Sequence, residues 1–198
     1  MSVGGLLAVI APISFVNEHV LRVGRGIGAI AVALMVFAIL IQVFFRYILN
    51  NALPWPDEAA RFCMLWMAGL MAPSAFRQGG FVAIDMLIVM LPRVLGSLIN
   101  LFLLLMSLIV LVVAVKIGWS EVTGFGGRFT TASLYVPTSI DFSEWLRVPR
   151  SWMMASLLVG VILLTSVNIE LILRTIVNLL GGSDRLSPIG AADMGGAE

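Results

Sequence analysis

Asp57 and Glu58 stand side by side, and Arg61 follows four and three residues on, so a helix would place all three on one face. Adjacent carboxylates are the raw material of general acid–base chemistry. Here no nucleophile, histidine or ligand cluster accompanies them, so no catalytic residue is expected. Pro56 precedes them and suits a first helical position, where its missing N–H costs nothing. Both acids then lie at the positive end of a helix dipole. The trio can cap and solvate a helix end, or it can fix the connection for contact with a partner. Asp85 is a second candidate. A carboxylate in an apolar segment is costly unless it reaches water or a cation; Arg77 and Arg93 flank it, which favours a structural anchor over a proton relay. Glu170 and Arg174 form an i, i+4 pair of favourable orientation, explained by snorkelling at a bilayer edge. His19 and Cys63 are the only residues of their kinds and lie far apart in the chain. They make neither a metal site nor an intrachain disulfide, and no cofactor is expected.

The elements that must position these groups are apolar spans. Of the 198 residues, 60% are hydrophobic and 12% charged, against about a quarter charged in an ordinary soluble domain. Several runs reach the roughly 20 apolar residues that a helix needs to cross a bilayer. The pattern predicts an all-α integral membrane protein: four transmembrane helices plus a short interfacial helix, with no room for a separate catalytic domain. Residues 1–25 read as an N-terminal interfacial segment, because Asn17, Glu18 and His19 mix with apolar positions before Arg22 and Arg25. Residues 26–176 read as the membrane domain, with spans near 26–45, 57–76, 94–115 and 150–172. Phe81 to Leu91 is too short to cross and is expected in the interface or against the bundle. Residues 177–198 read as a flexible tail.

Gln42 is the only strongly polar side chain of the first span. Pro73 is expected to kink the second. Lys116 and Trp119 mark the end of the third at the headgroups, and Gly118 to Trp145 is the longest polar connection. Gly24-x-x-x-Gly28 and Ser156-x-x-x-Gly160 have the small-residue spacing that lets helices approach closely, a weak signal in a chain with 19 glycines. The chain start lacks the charged region and cleavage pattern of a signal peptide, so the mature chain is expected to begin near Met1. A net charge of +1 without a Lys/Arg run argues against a nucleic-acid partner. Basic residues do not fix the orientation. One side collects Arg22, Arg25, Arg77, Arg93, Arg174 and Arg185; the other collects Arg46, Arg61, Lys116, Arg128, Arg147 and Arg150.

The connection between the first two spans carries Arg46-Tyr47, Asn50-Asn51 and Pro54-Trp55-Pro56-Asp57-Glu58-Ala59-Ala60-Arg61. Further on come Arg77-Gln78-Gly79-Gly80-Phe81-Val82-Ala83-Ile84-Asp85, then Leu91-Pro92, and a looser Thr130-Thr131-Ala132-Ser133-Leu134-Tyr135-Val136-Pro137. This order resembles the small, Q-type (DctQ-like) permease subunit of tripartite ATP-independent periplasmic (TRAP) transporters, over roughly residues 20 to 175. Pro56 stands where that family usually has a capping Ser or Thr, and Phe81 where a His is common, so any role of that His is absent or altered here.

The resemblance implies a non-catalytic subunit of the bacterial inner membrane. Its partners would be a large M-type permease subunit, a periplasmic P-type substrate-binding protein and membrane lipid. The large subunit would carry an organic acid carboxylate with sodium by an elevator-like movement, in a secondary active symport, while this chain braces the fixed scaffold. The motif residues implied as partner-interface or structural are Arg46, Tyr47, Asn50, Trp55, Asp57, Glu58, Arg61, Gly79, Gly80 and Asp85. Both termini would be cytoplasmic, and Arg46 to Arg61 and Gly118 to Arg150 would face the periplasm. The alternative is a four-helix anchor of a redox or other membrane enzyme complex. A haem anchor needs axial histidines within its spans, and His19 lies outside them. A self-sufficient small transporter would want intramembrane charges. A reporter fused after Glu198 is expected to read out on the cytoplasmic side; a periplasmic signal would contradict the implied topology.

Overall fold

The computed structural model describes residues 3–79, 92–137 and 145–182. Helix α1 covers Val3–Tyr47, α2 covers Trp55–Arg77, α3 covers Arg93–Thr123 and α4 covers Arg150–Leu179. A 3-10 turn at Phe125–Arg128 and two strands, β1 (Thr130–Pro137) and β2 (Trp145–Pro149), link α3 to α4. All four helices are long and apolar enough to span a membrane, which gives the helical membrane architecture the composition demands. The strands were not foreseen. They pair as an antiparallel hairpin, Tyr135 opposite Arg147, with an irregularity between Thr130 and Tyr135. β-Branched and aromatic residues drive that pairing, inside a stretch that reads as a polar connection.

Helix α1 is 45 residues long, about 65 Å at 1.5 Å per residue and roughly twice the hydrocarbon thickness. It runs unbroken across residue 25, where the sequence suggested a change from interfacial segment to span. The reason is its buried stripe: Asn17, Leu21, Gly24, Gly28, Ala31, Ala38 and Gln42 recur at alternating three- and four-residue steps, with one step skipped. Such a heptad seam keeps one face against a neighbour, and it continues straight through the charged patch.

Contacts at the helix ends set the directions. Gln42 of α1 reaches Asp57 of α2, so these two helices are antiparallel. Asn100 of α3 meets Thr175 of α4, while Gly118 faces Leu158, so this pair is antiparallel too. Arg77 meets Glu170 and Gly69 meets Gly160, which makes α2 and α4 parallel. Helix α4 packs on all three of the others, and it carries the largest set of buried residues.

Small residues permit the closest crossings. A methyl added at Gly28 would come within 2.8 Å of the Met71 side chain, and one at Gly160 within 2.8 Å of the Gly69 backbone. Both small-residue spacings seen in the sequence therefore lie on helix contacts. Helix α4 stops in a Schellman turn: Gly181 has φ +78°, its N–H reaches Asn178, and the Gly182 N–H reaches Val177. Helix α2 stops at Gly79, φ +83°.

Gly160→Leu forces apart a backbone-to-backbone contact that no rotamer change can relieve. It is expected to destabilise the bundle by at least the ~1–3 kcal/mol typical of overpacking, read as a lower thermal unfolding midpoint in detergent. Gly26→Leu, at a site with nothing within 4 Å, is expected to leave the midpoint near the parent value.

Candidate functional site

Polar side chains gather at both ends of the helical bundle. At one end Glu170, with none of its surface exposed, sits where α1, α2 and α4 meet. Arg77 grips it with both arms, Nη2 to Oε1 at 2.9 Å and Nε to Oε2 at 3.2 Å. Arg174 Nε donates to Oε1 at 3.0 Å, and Asn17 Nδ2 donates to Oε2 at 2.8 Å. Each carboxylate oxygen thus accepts two hydrogen bonds, which fills its lone-pair capacity. Ser14 Oγ accepts from both arginines, at 2.9 Å and 3.0 Å, and Ser166 donates to Asn17 Oδ1 at 2.7 Å. About two turns along α1 from Asn17, Arg25 donates to Ser74 at 2.8 Å.

Burial decides how this cluster works. An exposed ion pair contributes about 0–1 kcal/mol, and Arg22–Glu18 on the outer face of α1 is of that kind. The Arg77 and Arg174 side chains are only 9% and 11% exposed. Removing one partner from such a site leaves a charge without compensation. Glu170–Arg174 is therefore no snorkelling pair at a bilayer edge: the carboxylate faces inward, and a second arginine from another helix completes it. Arg77 was expected beside Asp85, which lies outside the described residues, as does Gly80.

At the other end Glu58 turns away from Arg61 and crosses to the hairpin. It accepts the N–H of Ala132 at 3.0 Å, the N–H of Ser133 at 2.6 Å and the Ser133 hydroxyl at 2.5 Å. The Ser133 hydroxyl also lies 2.8 Å from the Pro54 carbonyl. Asp57 takes the amide of buried Gln42 at 3.5 Å. Arg61 is exposed, and among the described residues it pairs with neither acid. The expected trio on one face is thus divided among three surroundings.

The remaining motif residues shape the connection. The Arg46 guanidinium lies 5.8 Å over the exposed Tyr47 ring. Asn50 has φ +52°, a left-handed conformation that Asn tolerates better than most residues. Trp55 opens α2 with its side chain exposed. Arg147 of β2 stacks over Tyr135 of β1 at 5.2 Å and donates to its hydroxyl.

From Glu58 to Arg77, nineteen residues of α2 cover about 28 Å, close to the ~30 Å hydrocarbon thickness. The two polar clusters thus lie about one hydrocarbon thickness apart. Sequence reading found the Glu58 end and missed the Glu170 end. The available signals were a lone acid inside the fourth span's helix and the arginine closing the second.

The family model described as tripartite ATP-independent periplasmic transporters, DctQ component, matches residues 35–178. The chain belongs to the DctQ family. That match covers the connection, the hairpin, Arg77 and Glu170 alike. No curated protein matches the chain. This DctQ chain is accordingly a multi-pass membrane component of a tripartite transporter, not an enzyme. Among the described residues no three His, Cys, Asp or Glu side chains group as metal ligands.

Glu170→Gln is nearly isosteric but strips two mostly buried arginines of their counter-charge. It is expected to destabilise the chain by about 3–5 kcal/mol, measured as thermal unfolding in detergent. Arg77→Met keeps the Arg174–Glu170 pair and is expected to be milder. Equal melting of Glu170→Gln and the parent would mean that the cluster does not hold the helices.

Proposed function

We propose that this DctQ-family chain braces the fixed scaffold of a large permease subunit in the bacterial inner membrane. In this reading the large subunit moves an organic acid carboxylate with sodium, after a periplasmic binding protein has delivered it. Both termini are cytoplasmic. The Arg46–Arg61 connection and the hairpin face the periplasm, where they are placed for contact with the binding protein.

The observation that carries the reading is the pair of polar clusters a membrane thickness apart. Glu170 joins α1, α2 and α4 at one end, and Glu58 joins α2 to the hairpin at the other. A bundle tied at both ends is suited to staying still while a neighbour moves. The outer surface supports the same role. Helix α3 keeps large apolar side chains exposed along its length, among them Phe102, Ile109 and Val110. Such a face serves lipid or another membrane subunit. The redox-anchor alternative gains nothing, since the only histidine, His19, is exposed on the patch that precedes the first uncharged run.

The test is co-purification. With a C-terminal tag and mild detergent, the chain is expected to bring down a larger polytopic permease in near-equal amount. If it emerges alone or with a soluble oxidoreductase, the reading fails. Uptake by the assembled transporter is expected to fall in Glu58→Ala, which releases Ser133 and the hairpin, and in Arg46→Ala. Unchanged uptake in both would remove the connection from the functional site.

A further inference from the structure

Helix α1 carries a second heptad series beside its buried seam. From Val9 to Phe44, every position reached by alternating four- and three-residue steps is Val, Ile, Leu or Phe. No Gly, Ala or polar residue interrupts the series, which crosses the polar patch as Val16, Val20 and Val23. Ile13 and Ile41 are half-buried; the other members are between 39% and 62% exposed. The column opposite the buried seam is different. It reads Pro12, His19, Gly26 and Ala33, all exposed. Each of these lies one residue before a member of the apolar stripe.

Lipid does not account for a stripe drawn this way. It would touch the outermost column of a helix at least as readily as the flank, and it imposes no heptad spacing; a neighbouring helix does. Length points the same way. The stripe covers about 52 Å at 1.5 Å per residue. Even at a tilt of about 40°, the top of the usual range, a hydrocarbon layer of ~30 Å encloses only about 26 helical residues. A stretch of the stripe therefore stands outside the hydrocarbon. Gln42 reaches Asp57 near the start of α2, so the excess falls toward the Glu170 end, where the exposed Glu18–Arg22 pair lies beside the stripe. Val9 and Val16 would meet water there, which is unfavourable for apolar side chains.

We propose that this stripe seats one long helix of the large permease subunit's fixed scaffold, packed along α1 at the shallow angle of heptad packing. The inference rests on the bracing reading above and assigns it to one face of one helix. The occupant has to cross the membrane and continue past it on the Glu170 side, which a soluble binding protein at the hairpin end does not do. The exposed side chains offer on the order of 800 Å², about the share of one partner in a stable interface.

The test is site-specific photo-crosslinking in the assembled transporter. p-Benzoyl-L-phenylalanine replaces, one at a time, Val20, Ile27 and Leu34 on the stripe and their neighbours His19, Gly26 and Ala33. Each adjacent pair lies at nearly one depth, so the comparison reads the face and not the membrane position. Irradiation is expected to capture the large subunit from the stripe positions and several-fold less from their neighbours. Equal capture within each pair, or greater capture from the neighbours, would overturn the proposal. So would capture of a second copy of this chain. If the large subunit co-purifies with the unsubstituted chain yet no stripe position captures it, the bracing reading stands and this inference fails. If no permease co-purifies, both fail. Should the bulky residue block assembly, Val16→Cys and Pro12→Cys are compared in a Cys63→Ala background. The large subunit is expected to shield Val16→Cys from a water-soluble maleimide and to leave Pro12→Cys reactive; equal labelling of the two overturns the proposal.

Discussion

A carboxylate with no exposed surface, in a chain built to live in lipid, constrains everything around it. Glu170 is tolerable only if its charge is matched and both oxygens are filled with donors. The chain does this with groups from three helices, so the carboxylate can be satisfied only when α1, α2 and α4 are in one arrangement. Apolar packing alone is a poor specifier here, because lipid tails solvate leucine as well as leucine does. The hydrogen bonds around Glu170 supply the register that the apolar faces lack. The heptad seam of α1 and the glycine crossings then follow from a fixed alignment.

The second cluster extends that control across the membrane. Glu58 belongs to the same helix as Arg77, so α2 acts as a rod with an anchored carboxylate near one end and an anchored arginine at the other. The hairpin is held through Ser133, and through it the start of α4. A loop that merely connected α3 to α4 would be free to vary. This one is pinned to the beginning of α2 by three hydrogen bonds to a single side chain.

Much of this was legible in the residues, and the misses share a cause. Run length alone reveals four spans, since crossing a bilayer is a property of a segment by itself. The Arg46–Arg61 order stands out because polar, aromatic and Pro residues crowd a short connection at a boundary. The small-residue spacings lie on real crossings, although the sequence cannot say which helix they meet. Glu170 illustrates what local reading lacks. An acid four residues before an arginine looks the same whether the pair faces water or a third helix, and only the tertiary arrangement brings Arg77 to it. The patch from Asn17 to Arg25 looks like the end of an element because it is polar. Three of its residues, Asn17, Leu21 and Gly24, are buried on the seam, and the helix passes through. The β pairing of Thr130–Pro137 hides in a stretch rich in Gly, Thr and Ser, where turn-formers mask the alternation.

The chain order of the Glu170 partners has a consequence for biogenesis. Ser14, Asn17 and Arg77 are all made before α4, so the first three helices leave the ribosome carrying an arginine whose carboxylate does not yet exist. Only the last span brings the counter-charge. A nascent or truncated chain therefore carries this guanidinium without the carboxylate that, among the described residues, compensates it, and completion of synthesis supplies it. The cluster thus distinguishes a finished subunit from an unfinished one.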